Sequence, residues 1–223
     1  MRSDRAPVTR ASSRVWLFDL DNTLHDAGRH IFPAISRAMG DYVARHLGLD
    51  TAAAIGLRDH YWYRYGATLT GLVRHHGVEP QHFLDRTHDF LDRLPRMVVH
   101  EAALRHVLKK LPGRKIVFSN APRRYVEAVL ALVGIRPLID SVWTIERLRF
   151  TPKPHRAAFQ RLLHGERLDP RRCILVEDTA ANLRAAKQLG MKTVFVSPSA
   201  QVPTYVDVRI KSVIDLQRIG LTP

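Results

Sequence analysis

The sequence predicts an α/β protein in which a parallel sheet carries an inserted helical segment. Short apolar runs alternate with amphipathic helical segments over the second half of the chain, an order typical of a parallel sheet covered on both faces. A long stretch from about residue 31 to residue 94 contains no strand-like run and shows helical periodicity instead. Because such helices need apolar contacts of their own, we interpret this stretch as a small helical subdomain inserted after the first strand.

The individual elements follow from the apolar runs and from the proline and glycine residues between them. Strands are predicted at residues 14–18, 115–120, 141–145, 172–178 and 192–196. Helices are predicted at residues 101–113, 122–134, 155–165 and 180–190. Pro122 suits the start of the second of these helices and Gly134 suits its end, because proline lacks an N–H donor and glycine adopts the left-handed conformation.

These elements divide the chain into three parts. Residues 1–13 mix arginine, serine and proline without periodicity, which predicts a flexible basic tail. Residues 14–27 and 95–223 are expected to form the α/β core, and residues 28–94 the helical subdomain, called the cap below. With 223 residues, of which 45% are hydrophobic, the chain is long enough to bury a core and to carry such an insertion.

The composition predicts a soluble globular protein of the cytoplasm. The apolar runs are shorter than the ~18 to 20 residues that a membrane span needs, so no membrane partner is expected. The first residues do not resemble a signal peptide. Cys173 is the single cysteine, which excludes an intrachain disulfide, and its apolar surroundings in "RCILVED" predict a buried thiol.

The chain is strongly basic, with a formal net charge of +14. Such a charge is compatible with nucleic acid, an anionic surface or an anionic small substrate, and it does not choose among them. The arginine and lysine residues are scattered, and the sequence contains no zinc-finger spacing, basic zipper or aromatic-basic pattern of an RNA-binding sheet. These observations disfavour a nucleic-acid partner. The sequence does not indicate the oligomeric state.

Two aspartates follow the first strand in "VWLFDLDNT". Alternate side chains of an extended backbone point the same way, so Asp19 and Asp21 share a direction while Leu20 points back into the protein. Crowded carboxylates repel unless a cation or a shared proton relieves them, which predicts a metal site or an acid/base couple. The alternative is that the pair merely caps a turn.

Polar residues also follow the later strands. Ser119 and Asn120 end the run "KIVFSN", and Glu177 and Asp178 end "RCILVED". Ligands of parallel sheets bind at the carboxyl ends of the strands, so these groups are expected on one rim, with Lys153 of "TPKPH" facing the same crevice. As alternatives, the serine and asparagine begin the next helix, and the lysine is an exposed surface residue.

This set of residues suits phosphoryl transfer. Asp19 can attack phosphorus to give an aspartyl-phosphate, and Asp21 can protonate the leaving alcohol and later deprotonate the water. Mg²⁺ suits a site made of oxygen atoms, held by Asp19, the backbone carbonyl of Asp21 and Asp178. Ser119 and Asn120 would stabilise the phosphoryl oxygens by hydrogen bonds. Lys153, the third predicted catalytic residue beside Asp19 and Asp21, would stabilise them by its charge.

Four segments in order resemble the motifs of the haloacid dehalogenase superfamily. They are "DLDNT" at 19–23, "SN" at 119–120, "KP" at 153–154 and "ED" at 177–178, within a region spanning residues 15 to 196. The resemblance implies a Rossmann-like parallel sheet core with an inserted all-helical cap, Mg²⁺-dependent phosphatase chemistry, and phosphate binding by Thr23. Dehalogenases resemble the chain at Asp19 but lack the second aspartate, so Asp21 favours phosphate ester hydrolysis.

Longer segments resemble the pyrimidine 5′-nucleotidase branch of that superfamily. They are "FDLDNTLHDA", the cap segment "YRYGATLTGLVRHHGVEPQHFLDRTHD", "KIVFSNAPRRYVEAVLALVGI" and "VEDTAANLRAAKQLGMKTVFV". The resemblance implies a small phosphate ester as substrate, namely a nucleoside monophosphate such as UMP or CMP. One alternative is the same chemistry on a sugar phosphate, phosphoglycolate or a vitamin phosphate. The other is a basic nucleic-acid-binding protein without catalysis.

The chain departs from the wider superfamily at three positions. Glu177 stands where many relatives have glycine, and Asn182 stands where many have a second aspartate; both features resemble the nucleotidase branch. An amide at 182 more plausibly orients a metal-bound water or Asp178 than binds Mg²⁺, or it only caps the following helix. His25 occupies a position where that branch often carries tyrosine.

The cap contains the aromatic run "HYWYRYG" at residues 60–66. Tyr63, Arg64 and Tyr65 are candidates for stacking on a pyrimidine base and for contacts to phosphate or ribose, and His88 is a candidate to face the crevice. The alternative is that the aromatic residues form the core of the cap. The 12 histidines show no His-Glu-x-x-His spacing, so a catalytic zinc site is not expected.

Overall fold

The computed structural model describes residues 14–219. The tail predicted at residues 1–13 lies outside the described residues, as do residues 220–223. In the described part of the chain, no helix is both long enough and apolar enough to cross a membrane.

The core is a parallel sheet whose described strands are β1 (Val15–Phe18), β2 (Arg114–Phe118), β3 (Ser141–Trp143), β4 (Cys173–Glu177), β5 (Lys192–Val196) and β6 (Val208–Ile210). Their spatial order is β3-β2-β1-β4-β5-β6, and every pairing is parallel. The α/β, Rossmann-like fold class is therefore confirmed. Since β1 lies between β2 and β4, the order of the strands reverses beside it, and this reversal opens a crevice at their carboxyl ends.

The alternating side chains of β1 explain why the sheet is covered on both faces. All four residues of this strand are buried. Trp16 and Phe18 belong to one apolar cluster, whereas Val15 and Leu17 belong to a second cluster on the other face. A central strand buried on both faces needs apolar residues at every position, as "VWLF" provides. The strand is thus fixed in place just before the first aspartate.

Four helices follow β1 within residues 31–87. They are α1 (Ile31–Leu47), α2 (Thr51–Tyr65), α3 (Thr68–His76) and α4 (Pro80–Thr87). Helical patterning in the sequence continues to residue 94, but α4 ends at Thr87, and a short 3₁₀ turn follows at Leu94–Arg96. Residues such as Tyr42, Leu72 and Phe83 give these helices an apolar cluster of their own.

The core helices are α5 (Leu104–Lys110), α6 (Arg123–Leu132), α7 (Arg156–Glu166) and α8 (Ala180–Gln188). Each lies within a segment in which the sequence predicts a helix, apart from one residue at the end of α7. The thiol of Cys173 is buried, as predicted, and burial raises its pKa to about 12. Strand β6 was not predicted from the sequence, because only three residues at the edge of the sheet form it.

The cap helices contact the core beside the carboxyl ends of the strands. Ile145 and Phe150, from the segment after β3, pack in the apolar cluster of the helices. Gly66 directly follows the last residue of α2, and a Cβ atom at this glycine would lie 3.5 Å from Cδ of Pro154. The end of α2 therefore lies against the segment that carries Lys153.

Candidate active site

The carboxyl ends of the central strands bring three predicted residues to one rim. In the register of the sheet, Phe18 of β1 lies beside Val117 of β2 and Val176 of β4. The residues that follow these strands, Asp19, Ser119 and Asp178, therefore reach the same edge. The backbone N–H of Asp19 donates to the carbonyl of Val176 at 3.0 Å, which continues the β1 to β4 pairing to the first aspartate.

Lys153 is the centre of a buried charge cluster. Its Nζ lies 2.7 Å from Oδ1 of Asp19 and 2.7 Å from Oε2 of Glu177. Only 2% of Lys153 is exposed, so the alternative of a surface lysine is wrong. Burial by itself lowers the pKa of Lys153, but the carboxylates of Asp19 and Glu177 outweigh it and raise this pKa above its ordinary value. The side chain therefore stays a cation.

Asn120 holds the backbone of Lys153 in place. Its Oδ1 accepts from the backbone N–H of Lys153 at 2.8 Å, and its Nδ2 donates to the backbone carbonyl of the same residue at 3.0 Å. The sequence suggests that this amide donates to a phosphoryl group. In the structure both ends of the amide bond to the lysine segment instead, so the side chain positions Lys153.

Three carboxyl groups crowd the rim around the lysine. Asp19, Glu177 and Asp178 each offer an oxygen atom, and these atoms lie within 4.8 Å of one another. Burial, then the charge of Glu177, raises the pKa of Asp19 well above its ordinary value although Lys153 opposes the shift. Burial, then a hydrogen bond with Glu177, raises the pKa of Asp178 to about 7. A divalent cation would relieve this repulsion, and the all-oxygen donor set fits Mg²⁺.

Glu177 is the partner of the lysine rather than a free ligand. Besides bonding Lys153, its Oε2 accepts from Nδ2 of Asn182 at 2.9 Å, and its Oε1 accepts from the backbone N–H of Thr179 at 3.1 Å. Asn182 was expected to orient Asp178 or a metal-bound water, and its described bond goes to Glu177. Its Oδ1 is buried and has no hydrogen-bond partner among the described residues. A water on a bound cation would satisfy that atom.

Asp21 is held by two residues of which one, Tyr125, was missed from the sequence. The hydroxyl of Tyr125 donates to Oδ1 of Asp21 at 2.5 Å, and Nε2 of His25 lies 2.9 Å from the same oxygen. Burial, then the charge of Asp21, raises the pKa of Tyr125, so its hydroxyl keeps the proton that it donates. The sequence offers one signal for this residue. Tyr125 lies in the first turn of the helix predicted from Pro122, which follows the strand-end pair "SN" after one intervening residue.

His88 lies beside this group, whereas the other predicted cap residues do not. The rings of His88 and Tyr125 are 5.6 Å apart, and burial lowers the pKa of His88 to about 4. Tyr63 is 88% exposed. The guanidinium of Arg64 lies over the ring of Tyr65, and the hydroxyl of that tyrosine bonds Nε2 of His75 within the cap. No described contact joins these three residues to the acidic cluster.

Two predicted phosphate-binding residues, Ser119 and Thr23, carry buried hydroxyl groups. Ser119 is 1% exposed, and its Oγ accepts from the backbone N–H of Ala121 at 3.1 Å. Thr23 is buried in the turn after Asp21, and its Oγ1 has no hydrogen-bond partner among the described residues. A buried hydroxyl without a partner costs free energy, so Thr23 is suited to bind an oxygen atom of a ligand.

Fold and site together describe an α/β protein with an acidic centre, which contains one buried lysine, at the crevice beside its central strand. The chain belongs to the haloacid dehalogenase-like hydrolase family, whose model matches residues 14–190. The predicted resemblance to this superfamily is thereby confirmed.

One curated relative is Phosphate metabolism protein 8 of Saccharomyces cerevisiae. It is 22% identical over 200 residues, which are 84% of this chain and 62% of that protein. The chain thus matches only part of the length of this relative.

Several solved structures share the fold. A HAD phosphatase from Thermococcus onnurineus has a TM-score of 0.64 at 19% identity, covering 92% of this chain and 96% of that chain. The L-2-haloacid dehalogenase from Xanthobacter autotrophicus with chloropropionic acid covalently bound has a TM-score of 0.60 at 18% identity, covering 95% and 100%. The HAD-hydrolase YfnB from Bacillus subtilis bound to magnesium has a TM-score of 0.62 at 14% identity, covering 94% and 99%.

Proposed function

We propose that this protein is a Mg²⁺-dependent phosphatase that forms an aspartyl-phosphate on Asp19 and hydrolyses pyrimidine nucleoside 5′-monophosphates. The observation that supports this proposal best is the contact of Lys153 with Asp19 inside an acidic cluster at the crevice. A carboxylate at that place is close to a fixed positive charge, which phosphoryl transfer requires.

The proposed reaction has two steps. In the first, a carboxylate oxygen of Asp19 forms a bond to phosphorus while the bond from phosphorus to the ester oxygen breaks, and Asp21 gives its proton to the leaving alcohol. In the second, water attacks the phosphorus of the aspartyl-phosphate and gives a proton to Asp21, while the bond from phosphorus to the oxygen of Asp19 breaks. Inorganic phosphate leaves, and both aspartates return to their starting states.

Charge on the phosphoryl oxygens is stabilised by this chain's own groups. Lys153 supplies a fixed cation, and the buried hydroxyls of Thr23 and Ser119 supply hydrogen bonds. Asp19, Asp178 and the backbone carbonyl of Asp21 would hold Mg²⁺, while Glu177 and Asn182 support them. When bound, the cation supplies further neutralisation of the transferring group.

Asp21 supports phosphatase over dehalogenase activity. Dehalogenases and phosphatases both occur among the solved structures with this fold, so the fold alone does not decide between them. A dehalogenase releases halide, which needs no proton from the enzyme. Here the carboxyl of Asp21 is held in place two residues after Asp19, as an acid for an alcohol leaving group must be.

The proposal for the substrate rests on the cap and on charge. The segment from residue 63 to residue 89 resembles the pyrimidine 5′-nucleotidase branch, and caps are where this superfamily selects substrates. The net charge of +14 favours an anionic substrate. We further propose that the cap, residues 28–94, closes over the nucleotide and excludes water during transfer.

Phosphate release with Mg²⁺ tests the proposal directly. The substrates are UMP, CMP, dUMP, a sugar phosphate, phosphoglycolate and p-nitrophenyl phosphate, assayed with wild type, Asp19→Asn and Asp21→Asn. Asp92→Asn, which changes an exposed carboxylate, is the matched control. We expect about a hundredfold or greater loss in both site variants and none in the control. Turnover restricted to the sugar phosphate or phosphoglycolate would reject pyrimidine nucleotides as the substrate. Full activity of Asp19→Asn would reject the aspartyl-phosphate mechanism.

A further inference from the structure

The two described hydrogen-bond partners of the Asp21 carboxyl share one of its oxygens. The hydroxyl of Tyr125 and Nε2 of His25 lie 2.5 Å and 2.9 Å from Oδ1, and these two groups are 3.3 Å from each other. Tyr125 is fully buried in α6, and His25 is 4% exposed in the turn after β1. Two separate elements of the core thus converge on a single atom.

We infer that His25 and Tyr125 are positioning residues that fix the plane of the Asp21 carboxyl and reserve Oδ2 for proton exchange with the leaving alcohol. This inference rests on the proposed function. The tyrosine hydroxyl has a single proton, and at 2.5 Å it donates that proton to Oδ1. Nε2 of His25 then faces two acceptor oxygens, the tyrosine hydroxyl and Oδ1, so the tautomer that carries its proton on Nε2 fits this place. Accepting from both partners, Oδ1 has little capacity left for a proton of its own. The proton of the acid form is therefore carried by Oδ2.

The surroundings of His25 argue against a purely structural role. Its Nδ1 is buried without a partner among the described residues, so the imidazole makes its described hydrogen bonds only to Asp21 and Tyr125. Burying an unpaired polar atom costs free energy, which an apolar residue of similar size would avoid. A histidine at this place is explained by what it does to Asp21.

The ring of Tyr125 is itself held on two sides. Phe90 packs edge-on against it with ring centres 6.3 Å apart, and the ring of His88 lies 5.6 Å away. Both contacts come from the segment that joins α4 to the core. The direction of the tyrosine hydroxyl, and hence of the Asp21 carboxyl, is thus set by packing before any substrate binds.

If His25 and Tyr125 position Asp21, replacing them has a kinetic effect that a loss of fold stability would not produce. An alkyl ester such as UMP expels a basic alkoxide and needs the proton of Asp21, whereas p-nitrophenyl phosphate expels a stable phenolate and needs it far less. If Asp21 loses its position, the rate for the alkyl ester therefore falls more than the rate for the aryl ester. The value of kcat/KM is the measure to use, because it reports the steps up to the departure of the leaving group.

The test compares Tyr125→Phe, His25→Leu and His25→Gln with wild type on UMP and p-nitrophenyl phosphate at saturating Mg²⁺. If UMP is not turned over, glycerol 1-phosphate serves as the alkyl ester. Tyr42→Phe is the matched control, because it also removes a buried hydroxyl, one bonded to His82 in the cap. Circular dichroism and the thermal midpoint verify that each variant is folded.

We expect Tyr125→Phe and His25→Leu to lower kcat/KM about tenfold or more for the alkyl ester and less than about threefold for the aryl ester. His25→Gln, whose amide nitrogen reaches the place of Nε2, is expected to recover part of the loss. Equal losses on both esters, or none, overturn this inference while leaving the proposed function intact. No phosphate release by wild type from any ester overturns both. If Tyr125→Phe does not fold, the two His25 variants still decide.

Discussion

The ammonium group of Lys153 lies 2.7 Å from Oδ1 of Asp19, although the two residues are 134 positions apart in the sequence. Both groups are buried, and Oε2 of Glu177 also lies 2.7 Å from the ammonium. One cation thus serves two carboxylates inside the protein. Because buried charges are stable only when paired, this contact links the folding of the site to its chemistry.

Replacing the lysine is therefore expected to affect stability and activity together. Lys153→Met leaves Asp19 and Glu177 buried without their cation, and we expect a loss of about 3 to 5 kcal/mol in the free energy of unfolding. Phosphate release is expected to fall by about a thousandfold or more, because the charge facing the phosphoryl group is gone. Urea unfolding and the phosphate assay measure the two effects.

A double variant separates them. Lys153→Met with Glu177→Gln removes one negative charge as well, so most of the stability is expected to return while activity stays lost. A single variant as stable as wild type would contradict the pairing, and an active double variant would contradict the role of the lysine.

We expect Asn120 to affect catalysis only by holding Lys153 in position. Asn120→Ala removes two hydrogen bonds to the lysine backbone. We expect kcat to fall by about tenfold to a hundredfold, because misplacing a catalytic group by a small distance is costly, while KM changes little. Steady-state kinetics measure the split. A rise in KM with an unchanged kcat would indicate that the amide binds substrate directly.

Much of the sheet and its rim could be predicted from the sequence. Strands buried on both faces are continuous apolar runs, and parallel strands end at one edge, so the positions of Asp19, Ser119 and Asp178 follow from simple patterns. The short edge strand Val208–Ile210 lacks such a run and was missed.

Contacts that depend on loop and helix geometry could not be predicted. The amide of Asn120 reaches the backbone of a residue 33 positions away, and this depends on the path of the segment before α7. The bond of Tyr125 to Asp21 depends on the rotation of α6 about its axis, which places one side of its first turns over the site. Asn182 bonds Glu177 rather than Asp178 because of the direction in which α8 leaves the rim.

Divalent cation is expected to stabilise the protein in a pH-dependent way. The pKa of Asp178 is raised to about 7, so its protonated form favours the folded state; that contribution is complete below about pH 4 and is lost as pH rises through 7. Without metal, the thermal midpoint should fall over this range. Saturating Mg²⁺ binds the ionised carboxylates and is expected to raise the midpoint at pH 8 by about 3 to 8 °C.

Asp178→Asn is the control for the metal prediction. It has no charge to titrate at this position, so its midpoint should depend less on pH and respond little to Mg²⁺. An equal response of the variant and wild type to Mg²⁺ would show that the cation binds elsewhere.

Tyr61 and Tyr63 are two residues apart in α2, one buried and the other exposed. Replacing each of them is expected to separate effects on the stability of the cap from effects on substrate binding. Tyr61 is 6% exposed in the cap cluster, so Tyr61→Ala should lower the free energy of unfolding by about 3 to 5 kcal/mol. Tyr63 is 88% exposed and contributes no comparable packing, so Tyr63→Ala should leave stability nearly unchanged.

The exposed ring of Tyr63 instead offers a surface for a base, three residues before Gly66 where α2 meets Pro154. Stacking of a base on an aromatic ring contributes about 1 to 3 kcal/mol, so Tyr63→Ala should raise KM for UMP about fivefold or more and leave kcat unchanged. KM for p-nitrophenyl phosphate, which has no pyrimidine base, should change far less. Equal changes for both esters would assign the effect to cap movement, and no change for either would remove Tyr63 from the binding site.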